Sequence, residues 1–114
     1  MKFFFHPEAK EEFNGSVDFY EQSQPGLGLE FAEEVYATIA RVIQYPDAWF
    51  EMSENSRRCL VNRFPYGLIY QIKANELRII AVAHLHRRPN YWKKRMGQNK
   101  SLKRDAAKSR RRAP

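Results

Sequence analysis

The sequence has little that could cross-link, anchor or export the chain. Cys59 is the single cysteine among 114 residues, so we expect no internal disulfide and a reducing, cytoplasmic location. No apolar run approaches the ~20 residues of a membrane-spanning helix, so we predict no such helix. The aromatic run at residues 3–5 is too short for a signal peptide. The length fits one small domain and excludes a two-domain enzyme with a complete dinucleotide-binding unit.

Positive charge exceeds negative charge, but the excess is unevenly distributed. The chain has 20 Lys and Arg against 13 Asp and Glu, a formal net charge of +7 and a pI near 9.8. Residues 1–56 hold three bases and eleven acids, a net −8, whereas residues 57–95 hold ten bases and one acid, a net +9. Residues 96–114 hold seven bases and one acid, a net +6. Basic charge favours nucleic acid, an anionic surface or an acidic protein as a partner, but most of the excess lies in the last segment.

That last segment also differs in composition. Residues 96–114 contain one Leu, one Met and no aromatic residue. Such a segment cannot bury enough apolar surface to offset the entropy of ordering it. We therefore predict a domain over residues 1–95, followed by a basic tail that is disordered or forms a helix on a partner. The tail either binds nucleic acid or is an incidental extension.

Two apolar stripes at helical spacing predict an antiparallel helical hairpin. Pro7 suits the first turn of a helix, where its missing N–H is harmless, and the acids that follow it suit the helix dipole. A breaker around Pro25 and Gly26 separates this helix from a second one that ends before Pro46. The first apolar face consists of Ala9, Phe13, Val17 and Tyr20. The second consists of Leu27, Phe31, Val35, Ile39, Val42 and Ile43.

Residues 2–5 are short and aromatic-rich, which suits a strand, and from residue 57 onward the apolar pattern has the period of two that is typical of strands. The predicted strands span residues 2–5, 57–64, 67–73 and 77–85. The last is apolar on both faces, which indicates a central strand. Residues 46–55 are predicted as a loop that exposes Trp49 and Phe50. The predicted fold is α+β, of order β-α-α-β-β-β, with the helical hairpin packed on a small antiparallel sheet.

Short motifs in a fixed order carry a family resemblance. They are His6-Pro7-Glu8-Ala9, Gly26-Leu27-Gly28 before Phe31, Arg63-Phe64-Pro65-Tyr66 before Tyr70, Ala81-Val82-Ala83-His84, and Arg87-Arg88-Pro89-Asn90-Tyr91-Trp92 with Lys93-Lys94-Arg95. With these motifs the sequence resembles the RelE/ParE family of toxins from type II toxin–antitoxin systems. The resemblance covers residues 1–95 and leaves out the basic tail.

The resemblance implies one of two activities and an obligate protein partner. RelE-like members cut mRNA in the ribosomal A site, whereas ParE-like members inhibit DNA gyrase and cut nothing. Both kinds are held inactive by an antitoxin that wraps a segment around the toxin. Growth inhibition and plasmid stabilisation are the biological roles that follow. The family has no metal or organic cofactor, so none is expected for this chain.

For mRNA cleavage, the resemblance implies lysines and arginines on the strands and a C-terminal tyrosine. Cleavage by the 2′-hydroxyl needs a base, cations for the developing charge and an acid. The lysine pair has no counterpart, because Cys59 and Val61 stand in that stretch, and Gly67 takes the place of another arginine. These departures favour the ParE-like activity. If the chain is a nuclease, the candidate catalytic residues are Arg63, Arg87, Arg88, Tyr91 and, for acid–base work, His84 or His86.

The remaining cations and aromatic residues are candidates for binding the target. Tyr91 and Trp92 interleave with bases, which suits nucleic acid or an acidic protein groove. The alternatives are a solvated charge run and aromatic residues that pack on the sheet. Arg57 and Arg63 fall on one strand face, where they form an anion patch or pair with helix acids. The target-binding candidates are Arg57, Arg58, Trp92, Lys93, Lys94 and Arg95.

Histidine and cysteine allow ordinary structural interpretations as well. His84 and His86 share a strand face at a spacing that can ligate a metal, but no third ligand is evident, so we predict a structural His84 and no metal site. His6 is interpreted as packing or a cap at the helix start. Cys59 is predicted as a small core residue rather than a nucleophile.

Three functions follow from these observations. The preferred one is a toxin that inhibits DNA gyrase without hydrolysis. The second is a ribosome-dependent mRNA endonuclease, and the third is a nucleic-acid-binding module without toxin activity. For either toxin we expect an adjoining reading frame that encodes the antitoxin.

Overall fold

The computed structural model describes residues 1–97, which form a five-stranded sheet and three helices. In chain order the elements are β1 (Lys2–Phe5), α1 (Pro7–Ser23), α2 (Leu27–Gln44), β2 (Phe50–Ser53), β3 (Ser56–Leu60), β4 (Tyr66–Lys73), β5 (Glu76–His84) and α3 (Lys93–Met96). The predicted tail lies outside the described residues from residue 98 onward. Within the described part, no helix combines the length and apolar character needed to cross a membrane.

The start of α1 and the turn before α2 are both fixed by side-chain caps. His6 Nδ1 accepts a hydrogen bond from the N–H of Glu8 at 3.0 Å, which confirms the predicted cap. The carboxylate of Glu21 accepts from the N–H groups of Gly26 and Gly28 at 3.0–3.1 Å, and so satisfies free donors at the start of α2. Gly28 also lets the two helices approach closely, because a Cβ there would lie 2.6 Å from the carbonyl oxygen of Val17.

The sheet confirms the α+β class and adds two features that the periodicity did not show. Its strand order is β1-β5-β4-β3-β2, and β1 runs parallel to β5 while the other neighbours are antiparallel. The sheet is therefore mixed rather than wholly antiparallel. The segment predicted as a loop contains the edge strand β2, whose four residues and register shift leave no readable alternation. Phe50 is exposed as predicted, but Trp49 packs partly buried against the core.

The face of the sheet that the helices cover, here called the inner face, holds the main core. Phe31 lies at its centre, with ring centroids 4.8–5.2 Å from those of Tyr20, Phe64 and Tyr66. Cys59 is 1% exposed in this core, which confirms the structural interpretation, and burial raises the pKa of its thiol. The buried members of the core are Ala9, Phe13, Phe31, Val35, Ile39, Val42, Cys59, Val61, Phe64, Tyr66, Leu68, Tyr70, Leu77, Ile79 and Val82.

The opposite, outer face carries a second and smaller apolar layer. Side chains alternate along β4, so that Ile69 points away from the face of Leu68. The segment after β5 covers part of this outer layer, with Trp92 only 2% exposed. The buried members are Ile69, Ile80, Ala81, Ala83 and Trp92, with Met52, Tyr91 and Met96 packed against them. The segment after β5, which carries the last motif of the family resemblance, therefore lies on the outer face.

Candidate functional site

Glu12 on α1 ties the segment after β5 to the rest of the domain. Its carboxylate accepts hydrogen bonds from the Tyr91 hydroxyl at 2.7 Å and from the Arg95 guanidinium at 2.9 and 3.0 Å. It also accepts from the N–H of Val82 at 3.0 Å, while Arg95 donates to the carbonyl of Ile80 at 3.0 Å. Because β1 pairs with β5 only as far as Ile79, these side chains satisfy the strand edge that β1 leaves open.

In this network two predicted site residues, Tyr91 and Arg95, make hydrogen bonds that stabilise the fold. Burial, followed by the hydrogen bond to Glu12, raises the pKa of the Tyr91 hydroxyl well above its ordinary value. Burial alone would lower the pKa of the Arg95 guanidinium, but the bonds and charge of Glu12 outweigh it and raise that pKa. Trp92 and Arg95 are both buried, so neither side chain has a surface on which a partner could rest in this conformation.

A cleft of about 130 Å³ on the outer face brings several other predicted residues together. Gly67 lines it and leaves room for the Arg58 side chain, since a Cβ at this position would lie 2.9 Å from Cδ of Arg58. Its charged and titratable lining residues are Arg58, Arg87, Arg88, His84 and Tyr91. Among residues 1–97 no Asp or Glu lines the cleft. The arrangement is therefore suited to an anionic group.

The three arginines of the cleft are held in different ways. The Arg58 guanidinium lies over the Phe50 ring, 5.4 Å from its centroid, and the buried Nε of Arg58 has no hydrogen-bond partner within the described residues. The Arg87 guanidinium stacks on the Tyr91 ring at 3.9 Å and reaches Glu12 only at 4.0 Å. Arg88 is exposed and makes no ion pair within the part of the chain that the structure describes. Of the three, Arg88 is thus the most accessible cation of the cleft.

His84 lines the cleft, but its ring lies beside that of Tyr66, which belongs to the inner-face core. Its Nδ1 accepts a hydrogen bond from the N–H of His86 at 3.1 Å, and its ring stands edge-on to Tyr66 with centroids 5.1 Å apart. The lone pair on Nδ1 is therefore already engaged in a hydrogen bond. This hydrogen bond at the strand end agrees with the structural interpretation of His84. No group of three potential metal ligands occurs among residues 1–97.

The predicted anion patch of Arg57 and Arg63 does not form. The strand ends at Leu60, so its alternation does not extend to Arg63, which lies in the β3–β4 connection with φ of 71°. Arg63 instead pairs with Glu30 at 2.6 Å and Glu34 at 3.7 Å on α2, as the alternative interpretation had it.

Arg57 is also bound within the fold, but mainly by hydrogen bonds to backbone carbonyls. Its guanidinium donates to the carbonyls of Asp47 at 3.1 Å and Trp49 at 2.8 Å, and it approaches Glu51 at 3.4 Å. Both arginines are thus used within the fold and stay away from the cleft. Lys93 and Lys94 are exposed on α3, outside the cleft lining.

Two important residues were not predicted from the sequence. In the sequence Glu12 is one of several acids at the start of α1, and nothing in its local spacing singles it out. Its signal is the distant Arg95, because a buried arginine requires a carboxylate partner. Gly67 stands where the resemblance implies an arginine, and it lines the cleft, where a Cβ would lie 2.9 Å from Cδ of Arg58.

Comparisons with known proteins agree with this fold. The family described as "ParE toxin of type II toxin-antitoxin system, parDE" matches residues 3–91. The chain belongs to the ParE toxin family. No curated protein matches the sequence closely enough to be counted as a relative.

A solved structure shares the fold of this ParE-family chain at low sequence identity. It is the chromosomal ParDE toxin–antitoxin system from P. aeruginosa, with a TM-score of 0.66 and 14% identity. The match covers 75% of this chain and 97% of that one. At this identity the likeness establishes the fold alone.

Proposed function

We propose that this chain inhibits DNA gyrase by binding and does not cleave RNA. The observation that carries the proposal is that the outer-face cleft has cations but lacks a general base. Its lining contains three arginines and, among residues 1–97, no carboxylate. His84 has its basic nitrogen bonded to a backbone N–H, and the Tyr91 hydroxyl is already donated to Glu12. Attack by a 2′-hydroxyl needs a base within hydrogen-bond reach, so the cleft suits binding better than hydrolysis.

The core of the sheet gives a second line of support. Cys59 and Val61, which stand where the resemblance implies catalytic lysines, are 1% and 5% exposed and point into the inner core. Neither can present a reactive group to the outer face. Arg63 is bound to α2 and lies outside the cleft lining. The set of residues implied for cleavage is therefore divided between two sides of the molecule.

We further propose that the partner is a cognate antitoxin, as the family implies. The competing function is mRNA cleavage at the ribosome, and the observation that favours it is the shared cleft of His84, Arg87 and Arg88. The two activities differ in their products and can be separated directly.

The purified full chain tests the choice in two parallel reactions. One contains DNA gyrase with relaxed plasmid, and the other contains translating ribosomes with a defined message. We expect plasmid supercoiling to be blocked and the 5′ ends of the message to stay intact. Codon-phased cuts in the message, together with normal supercoiling, would establish the nuclease and refute the gyrase proposal.

A further inference from the structure

A second concave surface lies where the connection of β2 to β3 meets the end of β4, and we call it the β2–β3 groove. Its volume is about 600 Å³, which is within the range of roughly 300–1,000 Å³ for sites that take a small ligand or a few side chains. Its lining shares no residue with that of the cationic cleft on the outer face. The groove is therefore a separate site.

The charged lining of the β2–β3 groove contains more acids than bases. Its carboxylates are those of Asp47, Glu51 and Glu54, and its cations are Arg57 and Lys73. Arg57 already donates to two backbone carbonyls and approaches Glu51 at 3.4 Å. Asp47 and Glu54 are exposed and make no ion pair among residues 1–97. The groove thus presents carboxylates to which a cationic segment can bind.

The described part of the chain ends in the wall of this groove. Met96 and Gly97 both line it, so residues 98–114 continue from the groove itself. Those residues hold seven bases and one acid, a net +6. An extended chain spans at most ~3.6 Å per residue, so bases three to seven residues after Gly97 have a reach of about 11–25 Å. That reach is sufficient to cross a groove of this volume.

Charge directs these residues to the groove and away from the neighbouring cleft. The cleft has three arginines and, in the part of the chain that the structure describes, no carboxylate, so it repels a basic segment. A segment that is already tethered at the groove has an effective concentration of millimolar order, which a separate basic partner has to exceed. Exposed ion pairs are weak one by one, so several have to form together.

The order of residues in the segment also matches the groove. Leu102 is its only leucine and lies between Lys100 and Lys103. In the groove, Ile72 is 39% exposed, and it lines the same wall set as Pro46 and Met96. An apolar side chain between bases is thus matched by apolar surface between carboxylates, and burying it adds to the charge attraction.

We infer that residues 98–104 bind back into the β2–β3 groove of the same chain. The three bases of this stretch pair with the three carboxylates of the groove, and Leu102 packs on Ile72. The inference does not depend on the proposed inhibition of gyrase. It assigns a role to the first part of the basic segment, and it keeps that part away from the cleft on the outer face.

Trypsin cleavage of the full chain at low salt tests the inference, with the cut sites identified by mass spectrometry. The groove variant combines Asp47→Asn, Glu51→Gln and Glu54→Gln. We expect cuts after Lys100, Lys103 and Arg104 to be about tenfold faster in this variant, because cleavage follows the fraction of unbound segment. High salt should accelerate the same cuts in the unaltered chain, since it screens the ion pairs.

The matched control removes three acids elsewhere and so has the same net charge. It combines Glu11→Gln, Asp18→Asn and Glu33→Gln, all at exposed positions of the helical hairpin. Its cleavage rates should equal those of the unaltered chain. The inference is wrong if the two variants are cut equally fast, or if neither differs from the unaltered chain. It is also wrong if protection rises with chain concentration, which would identify a second copy as the source of the segment.

A nitroxide label on Ser101→Cys locates the segment directly and does not rely on the acid variants. Cys59 is 1% exposed, so the label reacts at the new cysteine. We expect broadened amide signals at Asn55 and Lys73 in the groove, and sharp signals again once the three groove acids are replaced. Broadening at Arg88 in the cleft instead would overturn the inference. So would a 12-nucleotide single strand that protects the segment from trypsin while the groove signals stay sharp, because the segment would then be an arm for nucleic acid.

Discussion

The two sides of the sheet differ in how their arginines are used. On the helix side Arg63 has two carboxylate partners, and Arg57 bonds two backbone carbonyls and approaches Glu51. On the outer face Arg58 and Arg88 have no ion pair within the described residues, and Arg58 has an unsatisfied Nε. The number of bases in a segment therefore does not locate a binding surface. The surface that we propose for binding is the one where the fold leaves cations without a counter-charge.

We expect the largest effect on stability at Glu12, which joins α1 to the segment that covers the outer face. Glu12→Ala removes the acceptor for Tyr91, Arg95 and the Val82 N–H, and leaves the buried Arg95 guanidinium with only the more distant carboxylate of Glu8, at 3.6 Å, within the described residues. We expect a loss of about 3 kcal/mol in the free energy of unfolding, at the lower end of the range for breaking a buried pair, because Glu12 keeps some exposure. Urea unfolding monitored by fluorescence measures it.

Glu11→Ala is the matched control, since Glu11 is an exposed acid on the same helix. Its effect should stay within about 0.5 kcal/mol. Equal effects of the two substitutions would show that the outer layer is held without Glu12.

The packing of α1 against α2 should be sensitive to an added side-chain volume at Gly28. Gly28→Ala would place a Cβ 2.6 Å from the Val17 carbonyl oxygen and push α1 and α2 apart. We expect a loss of about 1–3 kcal/mol, as for other overpacked positions. Gly15 lies within α1 with nothing near its Cβ position, so Gly15→Ala should stabilise by about 0.5–1 kcal/mol. A stabilising Gly28→Ala would contradict the close packing of the two helices.

The difference between the arginines predicts a matched pair of toxin variants. The double substitution Arg87→Gln and Arg88→Gln should weaken gyrase inhibition at least tenfold, which corresponds to about 1.4 kcal/mol of binding free energy. Arg63→Gln should leave inhibition within about twofold, because its charge is already paired with Glu30 and Glu34. Dose–response curves in the supercoiling assay measure both. Inhibition that depends on Arg63 and not on the pair would place the working surface at the helix side.

Local patterns were sufficient to predict most of the fold. The helical stripes and the Pro25–Gly26 breaker located α1 and α2, and the two-residue period located β4 and β5. The pairing of β1 with β5 could not be predicted, because it depends on contacts between distant parts of the chain. The strand β2 was missed because four edge residues with a register shift carry no clear alternation. In both cases tertiary contacts, rather than local propensity, decide the structure.

The candidate site was predictable in its residue types but not in its geometry. Arg87 and Arg88 were selected as cations next to aromatic residues, and they do line the cleft. Trp92 and Arg95 were selected for the same reason, but the fold buries both. The sequence pattern cannot distinguish these pairs, because burial of Arg95 depends on Glu12, 83 positions away in the chain. The partner of a buried charge has to be found in the structure.

The smallest effect that we expect is on the pH dependence of the free energy of unfolding. Burial and the hydrogen bond to Glu12 raise the pKa of Tyr91 in the folded chain above the value of about 10 expected when unfolded. Above pH ~10 the unfolded chain therefore releases this proton first, so the stability that is present at lower pH is lost as the pH rises. One such proton lowers the free energy of unfolding by at most about 1.4 kcal/mol per pH unit. Tyr91→Phe should make the decline between pH 9.5 and 11.5 shallower, whereas Tyr36→Phe, at an exposed position, should not. An unchanged slope in Tyr91→Phe would mean that Glu12 holds the outer layer through Arg95 alone.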